Sequence, residues 1–96
     1  MSEIKLKIDG RGRGAFYIDE NGNQLGEMVI GVSETALTVY HTEVDPELEG
    51  QGFAKKMLEK MVAYAREKKL QVIPLCEYVH AQFKRHPDEF ADVWRK

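Results

Sequence analysis

The hydrophobic rhythm of this chain switches at Asp45-Pro46. Upstream, apolar residues alternate with polar ones, the period of a half-buried strand. Downstream they recur every three to four residues, the period of an amphipathic helix. The two periods demand different structures, so the chain is committed to strands first and helices later, an α+β arrangement. Proline has no backbone N–H, which suits it to end the last of those strands.

Ile4, Leu6 and Ile8 alternate with Lys5 and Lys7 and read as a first strand. Gly10-Arg11-Gly12-Arg13-Gly14 reads as a turn and residues 15–18 as a second strand. Asn21-Gly22-Asn23 is a hairpin signal, because Asn and Gly accept the positive φ of tight turns. Residues 25–32 form a third strand, where Gly26 and Gly31 point to a bulge or a close approach. Residues 35–44, rich in Thr, Val and Tyr, form a fourth. Short turns join these four into an antiparallel meander. A long helix is expected from about Gly50 or Gly52, with Phe53, Met57, Leu58, Met61, Val62 and Ala65 as its apolar stripe. Residues 70–75 read as a fifth strand, which a helical crossover places parallel to the fourth. A second helix is expected over 77–85, with Tyr78, Val79 and Phe83 inward. His86-Pro87 breaks it, and residues 88–95 form a short helical tail carrying Phe90, Val93 and Trp94 back to the core.

The 96 residues are read as one domain, long enough to bury a core without disulfide or metal. Fourteen basic against sixteen acidic residues give a net charge of -2, which argues against a dedicated nucleic-acid binder. The Arg-Gly run at residues 10–14 imitates such a binder, but a hairpin turn explains one short copy better. No apolar run reaches the length of a membrane span. The first five residues carry no secretory leader, and the lone Cys76 has no internal disulfide partner. A reducing cytoplasm is therefore the expected location. Cys76, His80 and His86 do not complete a zinc set, so no metal is expected.

Glu49-Gly50-Gln51-Gly52-Phe53-Ala54 lies between a strand and the long helix. A helix N-terminus offers unpaired N–H groups and partial positive charge, and glycines let an anion come close. Phosphate can be held this way without many lysines. The spacing is neither a P-loop nor a dinucleotide fingerprint. An ordinary glycine-containing helix start has the same appearance.

The larger block from His41 to Ala54 resembles the acetyl-CoA motif of the GCN5-related N-acetyltransferases (GNAT), written Q/R-x-x-G-x-G/A. Gly52 and Ala54 match its last two positions, while Glu49 stands where Gln or Arg is usual. Pro74-Leu75-Cys76-Glu77-Tyr78-Val79 and Arg85-His86-Pro87 extend the likeness to the short, YjdJ-type members. The resemblance runs from about Leu25 to Val93. It implies an α+β fold with a three-layer-like α/β core, whose fourth and fifth strands splay to admit pantetheine. It implies acetyl-CoA as cofactor, with backbone near Glu43 and Val44 meeting pantetheine. Gly50, Gln51, Gly52, Phe53, Ala54 and Lys55 would meet the pyrophosphate. It also implies transfer of an acetyl group to an amine, whose identity the sequence does not mark. The helices that usually stand between the early strands are missing, which implies an open acceptor side.

Three further residues are candidates for the chemistry. Cys76 follows the fifth strand and precedes a helix, where a thiol is more acidic than in solution. It is read either as an acetyl-accepting nucleophile, as a residue shaping a direct transfer, or as a small buried hydrophobe. His41 and Glu43, two apart on a strand, share a face. They are read as a base for the amine, as a pair polarising Cys76, or as a surface pair. The tyrosine that protonates the departing thiolate in many relatives is matched approximately by Phe83, which moves that role to Tyr78 or Cys76. Asp45, Glu47, Glu49 and Glu77 are available to attract a cationic acceptor. Two other functions compete: a non-catalytic CoA-binding or interaction module, and a thiol sensor centred on Cys76.

Overall fold

Alternation upstream and helical period downstream produce the elements they demand. The structure is a computed structural model describing residues 3–48 and 50–95. Four strands, β1 (Ile4–Ile8), β2 (Arg13–Glu20), β3 (Asn23–Val32) and β4 (Ala36–Val44), form an antiparallel meander. A single 3-10 turn at Pro46–Leu48 leads to α1 (Phe53–Lys68), and then β5 (Gln71–Pro74) pairs with β4 in parallel. The chain finishes with α2 (Glu77–Arg85) and the short α3 (Pro87–Phe90). Strand order equals sequence order across the sheet.

The turns form as their residues require. The Asp9 carboxylate accepts from the backbone N–H groups of Arg11 and Arg13 at 2.8 and 3.0 Å, which closes the glycine–arginine turn. Asn21 and Gly22 both take positive φ, 53° and 84°, at the β2–β3 hairpin.

Two segments depart from expectation. β2 is longer than residues 15–18, since Arg13 and Glu20 find ladder partners in Gly31 and Asn23. The tail is not helical to residue 95. Pro87 instead opens α3, a position where a missing N–H costs nothing. The chain then turns to the free edge of β5, where the Val72 N–H donates to Val93 O at 2.6 Å and the Arg95 N–H to Val72 O at 3.0 Å. An unpaired strand edge outbids another turn of helix there.

All three helices lie on one face of the sheet. Phe16, Ile18, Met28, Ile30, Leu37, Val39 and Val72 point to that face and meet Met57, Leu58, Met61 and Val62 of α1 and Val79 and Phe83 of α2 in one buried cluster. The molecule measures 36 × 33 × 20 Å. Twenty ångströms hold the sheet with the helices packed on it. This is the α+β fold that the resemblance implies, with a tight turn and no helix between β1 and β2 among the described residues. Among the described residues no helix is long and apolar enough to cross a membrane.

Both glycines flagged in β3 mark irregularities. The register slips beside Gly26, leaving Leu25 without a partner in β2. At Gly31 a Cβ would come within 3.1 Å of the Tyr40 ring, so the glycine makes room for that aromatic. A second slip falls at Tyr40 itself: Ile30 pairs with Val39 but Val29 with His41. This bulge reverses which residues of β4 face the helices.

Candidate functional site

The first turn of α1 begins in open space. Gly50 and Gly52 take φ of 85° and 78°, conformations that side-chain-bearing residues rarely adopt, and a Cβ at either would meet nothing within 4 Å. Glycine is therefore required here for backbone conformation, with the space above the backbone left free. Gly52 caps α1, and among the described residues no side chain closes the cap. The unpaired N–H groups of the first helical turn are left to the space in front of it. Glu49 lies outside the described residues.

Beside this helix start, β4 outlasts its parallel neighbour. The β4–β5 ladder covers only Ala36 to Val39 against Gln71 to Pro74. The Asp45 N–H reaches Leu25 O in β3 at 2.7 Å. Peptide groups alternate along a strand, so those of Val44 and Thr42 turn to the opposite edge, where β5 has already ended. The strand pair opens into a gap flanked by exposed peptide groups.

Helix start and gap share one cavity of about 540 Å³, lined by Thr42, Val44, Leu48, Gly50, Gly52, Phe53, Ala54, Lys55 and Tyr78. Of the seven residues expected at a cofactor, six stand in its wall: Val44, Gly50, Gly52, Phe53, Ala54 and Lys55. Gln51 does not. Its side-chain amide turns back to the Glu47 carbonyl at 3.4 Å. Thr42, Leu48 and Tyr78 join the wall without having been expected there for cofactor binding.

The candidate chemical residues divide between the two faces of the sheet. Cys76 caps the N-terminus of α2 and is buried. Its N–H donates to Val39 O at 2.9 Å, and its thiol donates to Thr42 Oγ1 at 3.2 Å. The cavity therefore meets Thr42, while the thiol stands behind it. His41 and Glu43 do share a face, as their spacing expects, but it is the opposite one. Thr42 pairs with the core residue Met28, so its neighbours along the strand point away from the helices. The structure thus does not bring His41 or Glu43 to Cys76, and Thr42 takes that place. Glu43 instead joins Glu27 and Asp45 in a smaller cavity of about 180 Å³ that shares Val44 with the first.

Phe83 and Tyr78 also part company. Phe83 is fully buried, stacked on Phe90 with ring centroids 4.7 Å apart and edge-on to Trp94 at 5.7 Å. Tyr78 is half-buried on the cavity wall. Burial, chiefly, raises its phenol above the ordinary tyrosine value; Cys76 and Glu59 add to this and Arg85 opposes it. A protonated hydroxyl is therefore held at the cavity throughout the neutral range.

Comparison with known proteins gives the family of the fold. No curated protein matches the chain. The solution structure of a GCN5-like protein from Staphylococcus aureus, itself a candidate N-acetyltransferase, superimposes with a TM-score of 0.71 at 33% identity, covering 99% of this chain and 91% of that one. The crystal structure of a ribosomal-protein-alanine N-acetyltransferase from Brucella melitensis biovar Abortus 2308 shares the fold, with a TM-score of 0.62 at 18% identity. There the match covers 84% of this chain and 64% of the longer relative. The family model described as GCN5-related N-acetyl-transferase matches residues 15–93, and this chain belongs to that family.

Proposed function

We propose that this chain is a single acetyl-CoA-binding domain that transfers the acetyl group directly to an amine. The observation that carries the reading is the convergence on one cavity of an uncapped, glycine-flanked helix start and an unpaired strand edge. The N–H groups of α1 hold the pyrophosphate, with Lys55 beside them. Pantetheine runs along the peptide groups of Thr42 and Val44 as an added half-strand. The Val44 N–H steadies the carbonyl oxygen as negative charge develops on it.

The amine comes from the helix-free face, since α1 and α2 close the other. Glu43, with His41 beside it on that face, takes the proton of the incoming ammonium. Glu27 and Asp45 favour a cationic acceptor there. The nitrogen attacks the thioester carbon, the carbon–sulfur bond breaks, and the departing thiolate takes its proton from Tyr78; the surplus proton of the new amide nitrogen passes to water, from which Tyr78 is reprotonated. Tyr78 thus fills the role that the matched position of Phe83 leaves vacant. Cys76 belongs to the shape of the site in this reading, because its thiol is buried and already engaged with Thr42.

The test is a titration with CoA and with acetyl-CoA, followed by backbone amide shifts. Shifts concentrated on Thr42, Val44, residues 50–55 and Tyr78 are expected. Absence of binding at millimolar CoA overturns the proposal. A protein that binds acetyl-CoA but acetylates no member of a broad amine panel is a non-catalytic module instead.

A further inference from the structure

The buried thiol and the cavity hydroxyl are joined by one hydrogen bond, and its direction has a consequence. Cys76 is 5% exposed and donates its S–H to Thr42 Oγ1 at 3.2 Å. Cys76 is fixed at its own backbone as well, by its N–H on Val39 O at 2.9 Å and by its carbonyl, which accepts the His80 N–H at 3.0 Å. The thiol is therefore held by the junction of β4 with α2, and it fills an acceptor site of the Thr42 oxygen. A hydroxyl has one proton to give. With the thiol occupying an acceptor site, that proton is left for an acceptor in the cavity that Thr42 lines.

Resting on the reading that acetyl-CoA occupies this cavity, we propose that Thr42 donates a hydrogen bond to the acyl carbonyl of the cofactor, with Cys76 as its positioning residue. The pair distinguishes a loaded from an unloaded cofactor. CoA carries the pyrophosphate and pantetheine that the helix start and strand edge hold, but it has no acyl oxygen for Thr42, or for the Val44 N–H, to meet. Thr42 senses only the part of the molecule that the reaction removes, so product is held less firmly than substrate. Cys76 forms no covalent bond in this scheme.

The experiment compares affinities for acetyl-CoA and CoA by calorimetry, with no acceptor present. Wild type binds acetyl-CoA more tightly. Thr42→Val removes the donor at nearly constant volume and is expected to weaken acetyl-CoA binding roughly three- to tenfold, the loss of one hydrogen bond, while CoA affinity stays within about twofold. Thr42→Ser keeps the preference. Cys76→Ala loses part of it, and Cys76→Ser, whose hydroxyl also donates, restores it. A Thr42→Val protein that keeps the wild-type preference overturns the proposal. So does a parallel loss of both ligands from a folded variant, which marks a merely structural role. An acetyl adduct on Cys76 in the intact mass after acetyl-CoA treatment also overturns it. Failure of wild type to bind either ligand defeats the underlying cofactor reading, and is distinct from all of these.

Discussion

Tyr78 and Phe83 are five residues apart on one short helix, and their fates are opposite. A helix turns about 100° per residue, so five positions separate two side chains by about 140°. One therefore packs into the core while the other meets the cavity. Position counting against the motif lands on Phe83, which has no proton to give, and leaves the role to Tyr78 or Cys76; the packing of α2 puts Tyr78, and not Phe83, on the cavity wall. Its raised pKa gives a prediction with a definite sign. Below the ordinary tyrosine value of about 10 the phenol is neutral in folded and unfolded chains alike, and no penalty exists. As pH rises past about 10, the unfolded chain ionises first, so folded stability falls until the native phenol also ionises. In an ultraviolet titration of the phenolates, a component ionising above the ordinary tyrosine range should be present in the wild type and vanish in Tyr78→Phe. Survival of that component in the variant would refute the assignment. The same variant should lose turnover while keeping its affinity for CoA.

At the scale of elements, α2 is held to the sheet by aromatic packing more than by hydrogen bonds. Phe83, Phe90 and Trp94 form one stack between α2, α3 and the edge of β5. Phe83→Ala is expected to cost about 3–5 kcal/mol in urea denaturation, a large part of the roughly 5–15 kcal/mol a domain possesses. Phe83→Tyr should not raise turnover, because its hydroxyl would enter the core, at a cost of about 1–3 kcal/mol. Element identity was legible in the sequence because both periods are strong: all five strands and both longer helices lie within about two residues of where alternation, the Phe53-to-Ala65 stripe and the trio Tyr78, Val79 and Phe83 put them. The tail was not, since nothing local in residues 91–95 announces that β5 has an edge to fill. Nor was the bulge at Tyr40. A run of Thr, Val, Tyr and His reads as regular strand, and no glycine or proline marks the extra residue. Of the three readings of His41 and Glu43, the bulge bears on the one that polarises Cys76, since it turns both residues to the opposite face.

At the scale of the whole molecule, a body 20 Å thick puts the proposed places of cofactor and acceptor on opposite sides of one strand. The cavity at the start of α1 borders both sheet and helices, so filling it should brace the entire fold. At acetyl-CoA a hundredfold above its dissociation constant, linkage predicts about 2.7 kcal/mol of added stability. For a domain of this length that raises the thermal midpoint by roughly 10–20 °C, measurable by scanning calorimetry. A shift below a few degrees at saturation would mean that the ligand does not bind the cavity between β4 and the helices. The helix-free face owes its chemical character to the single unpaired residue in β4. Leu37 and Val39 face the helices before Tyr40, and Thr42 does so after it. Tyr40 is to this strand what an extra beat is to a metre. Struck out, it would leave a regular ladder, with Thr42 and Val44 still turned to the helices and His41 and Glu43 still turned away. Kept but flattened into the ladder, it would carry every residue beyond it to the opposite side of the sheet.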